Sequence, residues 1–107
     1  MSAISVETRW ERLLEEQDGE ARAALARRLR REPPPSEGMM TRALRSTDAG
    51  LRKLVAWIAG GLPWAAASTP IRHALQDARP TVRRAAVMAL AAHPGDEPAG
   101  LLGGATA

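Results

Sequence analysis

The chain predicts an all-α fold, a short solenoid of three helical hairpins with six helices, and three observations lead there. The first is a frame that repeats about Arg22, Arg52 and Arg83, each with a leucine eight positions earlier, namely Leu14, Leu44 and Leu75. Six further offsets are apolar in all three copies. Trp10, Met40 and Ile71 stand twelve before; Leu13, Ala43 and Ala74 nine before; Ala21, Leu51 and Val82 one before. Ala24, Leu54 and Ala85 stand two after; Leu25, Val55 and Ala86 three after; Leu29, Ala59 and Leu90 seven after. Self-similarity at a period of about 30 residues is the mark of a stacked array. The second observation is composition: Tyr and Phe are absent and Trp numbers three, so the core must come from Ala, Leu, Val, Ile and Met. That set suits close-packed helices, whereas sheets favour aromatic and β-branched residues. The third is size. A chain of 107 residues with 45% apolar and 25% charged residues is one small globular domain.

The elements follow in order. In the first unit, Val6, Trp10, Leu13, Leu14 and Gln17 keep the helical period, and Asp18-Gly19 breaks it. Asp18 is a natural cap for the trailing helix, whose stripe is Ala21, Leu25, Arg28 and Leu29. Pro33-Pro34-Pro35 stops that helix, because proline lacks the amide donor and clashes with the preceding turn. Ser36 caps the second unit, with Met40, Ala43 and Leu44 on one face. Asp48 or Thr47 caps its trailing helix, Leu51, Leu54, Val55 and Ile58 form the stripe, and Gly60-Gly61 and Pro63 end it. A linker carrying Trp64 follows, and Thr69-Pro70 marks the third unit's start. Ile71, Ala74 and Leu75 form its leading helix, Arg79-Pro80 repeats the start signal, and Pro94-Gly95 closes the trailing helix. The units therefore span about 5–32, 36–62 and 69–93, and residues 94–107, without periodicity, read as a flexible tail.

The third unit, with Leu75, Asp77, Pro80, Val82-Arg83, Ala85-Ala86 and Ala89-Leu90, resembles a HEAT repeat of the phycobilisome-lyase type. The second unit is a weaker relative, with Ser46 for the family aspartate and Ala49 for the proline. The first keeps Leu14, Ala21-Arg22 and Leu29, with Glu16 in the acidic position and Gly19 for the proline. The resemblance implies a right-handed stack and, most often, a protein-interaction scaffold; a minority of such arrays act as bilin lyases or DNA-repair glycosylases. It also implies that the recurrent arginine pairs with an acid of its own or a neighbouring repeat, for which Asp18, Glu16, Asp48 and Asp77 are available.

Charge is uneven. Residues 1–20 hold two arginines against six acids, and residues 21–84 hold thirteen basic residues against four acids. Such a basic middle suits an acidic protein partner or, as the alternative, nucleic acid. Aromatic interleaving for single strands is missing, since Trp57 and Trp64 are the only aromatics there. Without cysteine, disulfides, thiolate chemistry and cysteine-ligated zinc are excluded. His73 and His93 have no ligand spacing, and no catalytic motif or phosphate loop is present, so neither metal, cofactor nor enzyme activity is expected. No run reaches membrane-spanning length and the start lacks a secretory pattern, so a cytoplasmic protein without membrane contact is expected.

The expected contact residues lie on the trailing helices. Arg52, Lys53, Arg83 and Arg84 are available to an acidic partner, and Trp64 is either a plug between units two and three or an exposed anchor. Residues 85–92 are continuously apolar, so the side carrying Val87, Met88 and Ala91 is expected to meet another chain, either a second copy forming a homodimer or a partner that continues the stack, the alternative being that Leu101 and Leu102 of the tail fold back over it.

Overall fold

A computed structural model describes residues 5–106, and among them every regular element is a helix. Seven are present: α1 (Val6–Glu15), α2 (Gly19–Leu29), α3 (Glu37–Leu44), α4 (Ala49–Ala59), α5 (Trp64–Leu75), α6 (Pro80–Ala91) and α7 (Asp96–Thr106). The starts of α1 to α4 are set by local chemistry. Ser5, Asp18, Ser36 and Asp48 each accept a backbone N–H two or three residues ahead, satisfying donors that a helix leaves unpaired at its first turn.

Two starts differ from the sequence reading. The stretch read as a linker before Thr69-Pro70 is the first half of α5, which begins at Trp64 behind Pro63 and runs through the buried Pro70. Trp64-Ala65-Ala66-Ala67 is a strong helix-forming run after Pro63, and burial of the Pro70 ring offsets the amide it lacks. Residues 96–106 form a seventh helix in place of the expected tail, so the six-helix count is corrected. Gly95, at φ +115°, turns the chain out of α6, and Asp96, Glu97 and Pro98 fall in the first turn, where acids are favoured and proline costs no intrahelical bond.

Sequential helices pack in pairs, α1 on α2, α3 on α4 and α5 on α6. Between units, α4 packs against both α2 and α6, α3 against α1 and α5, and α7 returns onto α6. The body measures 47 × 26 × 22 Å. Two columns of the frame are fully interior: Trp10, Met40 and Ile71, and then Leu13, Ala43 and Ala74. Leu29, Ala59 and Leu90 form a third. The leucine column is less uniform, for Leu44 is buried while Leu14 and Leu75 are half-buried against the core edge. The junction of α4 and α5 presses on the end of α2. A Cβ on Gly61 would meet the Arg30 side chain and lie 2.7 Å from the Arg30 carbonyl oxygen, so only glycine fits.

Candidate interaction groove

The frame arginines sit in nearly the same setting three times. Arg22 donates to the Glu16 carbonyl, Arg52 to the Ser46 carbonyl at 2.8 Å, and Arg83 to the Asp77 carbonyl at 2.7 Å, each spanning six residues back. Two of them then reach forward. Arg22 Nη1 donates to Asp48 Oδ2 at 2.8 Å, and Arg52 donates through Nε and Nη2 to both oxygens of Asp77 at 2.8 and 3.2 Å. Hydrogen bonds from Arg22 and Arg52 hold the Asp48 and Asp77 carboxyls below the usual carboxylate range against an opposing effect of burial, and Asp77 in turn raises Arg52. Arg52, expected to be open to a partner, is thus withdrawn into a pair whose side chains are 14% and 7% exposed.

Beside this ladder, α2, α4 and α6 enclose a groove of about 470 Å³. Its lining repeats as the core does. Ala23, Lys53 and Arg84 stand one residue after the frame arginines, and Arg27, Trp57 and Met88 stand five after, with Leu54 and Ala85 between. One and five are a helical turn apart, so each helix shows one face to the groove. The floor is apolar, the rim carries Arg27, Lys53 and Arg84, and no carboxylate lines it. Met88, 64% exposed, is the large apolar side chain most open to solvent among the described residues. Arg30 secures Trp57, its guanidinium carbon 4.8 Å from the ring centre and its Nε donating to the Trp57 carbonyl at 3.2 Å.

Of the residues singled out from the sequence, Lys53, Arg84 and Met88 therefore come together. Arg83 stays exposed at the end of the ladder, Val87 is half-buried and Ala91 exposed on α6. Trp64 lies elsewhere: half-buried, it meets the His93 ring at 5.2 Å, while His93 Nε2 donates to the Ala59 carbonyl at 2.9 Å, so the pair closes the junction of α4, α5 and α6. Sequence reasoning missed Trp57 and Leu54 as surface residues. The column five after each arginine would have found Trp57, but it mixes Arg, Trp and Met and has no common polarity; Leu54 stands two after, in a column that is apolar in every copy and so reads as interior.

A further concavity, formed by Glu37, Gly38, Thr41 and Arg42 of α3 with Arg45 at its C-terminal cap, has no apolar side chain in its lining. Among the described residues no three His, Asp or Glu side chains converge as a metal site, and no helix is long and apolar enough to cross a membrane. No family model, curated protein or solved structure matches the chain.

Proposed function

We propose that this chain is a protein-interaction module, a short right-handed α-solenoid of HEAT-type hairpins that works without cofactor or catalysis in the cytoplasm. Its partner is an acidic, amphipathic segment that lays apolar side chains on Leu54, Trp57, Ala85 and Met88 and carboxylates against Arg27, Lys53 and Arg84. The observation that carries this reading is the groove's composition, an apolar floor under a rim of one charge sign. Apolar area supplies affinity in such a site, and the like-signed rim selects partners and speeds encounter. Seven of the fifteen basic side chains are engaged by carboxylates, carbonyls or the Trp57 ring, which thins any stripe that could follow a phosphate backbone.

The test is parallel affinity capture from the native host with the parent chain, a Lys53→Glu/Arg84→Glu variant, a Met88→Glu variant and an Arg42→Glu/Arg45→Glu variant on α3. The reading expects both groove variants to weaken the same protein by about tenfold or more while the α3 variant retains it. Capture that depends on Arg42 and Arg45 instead, or that yields nucleic acid with steep loss in added salt, would replace it.

A further inference from the structure

The ladder ends on an unfilled rung. Arg22 and Arg52 each bind one carbonyl behind and one carboxylate ahead, whereas Arg83 Nη1 binds the carbonyls of Asp77 and Ala78 and no carboxylate of the described residues pairs with it. The face around it repeats the same history. Four residues after the frame arginine, Ala26 and Ala56 are 0% exposed between trailing helices, while Val87 is half-buried. Eight after, Arg30 reaches the Trp57 carbonyl and Gly60 abuts the Ala89 backbone, but Ala91 is exposed. Arg83, Val87 and Ala91 are thus the α6 copies of positions that α2 and α4 use to hold the next trailing helix.

We infer that the Arg83–Val87–Ala91 face of α6 docks one α-helix of another protein, whose N-terminal capping aspartate fills the Arg83 rung. The chemistry of the occupant can be read from α4, which meets the equivalent face of α2. Asp48 uses Oδ1 to cap its own helix through the Gly50 and Leu51 amides and Oδ2 to receive Arg22. Leu51, Val55 and Ile58 follow at helical spacing and are 0–2% exposed. The partner helix accordingly begins on an aspartate followed by aliphatic residues three, seven and ten positions on. A second copy is a poorer fit. Its matching aspartate, Asp18, caps the trailing helix of a hairpin, so α1 would arrive with α2, and α7 already lies on α6 and ties to α5 through the Glu97–Arg72 pair.

The probe is a fluorescein-labelled peptide with the sequence of residues 46–61, titrated into the full chain and followed by anisotropy. Saturable binding is expected. It should fall about tenfold for the chain with Arg83→Glu, fall further for a peptide with Asp48→Lys, which also loses its cap, and recover in part when those two are combined. Lys53→Glu in the chain should leave it within about twofold, which separates this face from the groove. Failure to saturate at millimolar chain, or indifference to Arg83→Glu, would overturn the assignment. So would a dimer of the full chain that Arg83→Glu dissolves, since the occupant would then be a second copy.

Discussion

Arg52 shows most clearly how one side chain joins sequence to assembly. Its guanidinium ties the loop before α4, through the Ser46 carbonyl, to the loop before α6, through both oxygens of Asp77. Replacing it with methionine keeps much of the stem but leaves the 7%-exposed Asp77 without its main partner, so a loss of about 2–3 kcal/mol is expected in urea unfolding. The same pairing fixes the sign of the acid response. Because the Asp48 and Asp77 carboxyls titrate lower folded than unfolded, their contribution is complete above the unfolded carboxylate range and disappears as pH falls through the lower, folded values. Unfolding midpoints should therefore drop on the acid side, and Asp77→Asn should flatten that slope while lowering stability at neutral pH. Equal slopes for parent and variant would contradict the assignment. At this scale the sequence was most legible for the caps, since Asp18, Ser36 and Asp48 act on amides two or three residues away. That Arg22 and Arg52 are paired was expected only through a family resemblance. The long-range choice of Asp48 by Arg22, and of Asp77 by Arg52, depends on how loops meet in space.

Among the elements, α5 and α7 separate local signals from tertiary ones. Pro70 carries the strongest apparent start signal in its region, yet α5 begins six residues earlier because the alanine run and burial of Ala67 and Pro70 outweigh one missing amide. The helix α7 had a readable acidic, proline-bearing start, but Gly100, Gly103 and Gly104 hide the rest; half-buried Leu101 and Leu102, packed against the core, supply what propensity does not. The turn between α4 and α5 was legible as a break and silent about its tightness. Gly61→Ala must push Arg30 and its backbone away, so a loss of about 1–3 kcal/mol is expected by thermal melting, whereas Gly38→Ala, with open space around it, should be neutral or slightly stabilising. Equal effects at the two glycines would show that α2 and the end of α4 do not meet as described.

At the scale of the molecule, the frame that builds the core also builds the groove. The columns at twelve and nine before each arginine were legible as interior because every copy is apolar, and they are buried throughout. The columns at one and five after lie on the rims and floor of a surface, where Lys, Arg, Trp, Met and Ala are all compatible with the same backbone place. Such a column has a position without a polarity, and only the packing of α2, α4 and α6 reveals that it lines one concavity. The charge reading did reach Lys53 and Arg84, and the apolar-helix reading reached Met88; what neither could see is that they are neighbours. The three tryptophans report on the claim directly, since Trp10 is sealed in the core, Trp64 packs against His93 and Trp57 alone lines the groove. Titrating the captured partner into the isotopically labelled chain and following the three indole N–H resonances by NMR is the decisive measurement. The account predicts that the Trp57 signal moves together with amides near Lys53, Arg84 and Met88 while Trp10 and Trp64 stay in place; a Trp57 signal that does not move, with shifts gathered on α1, α3 and α5, would contradict it.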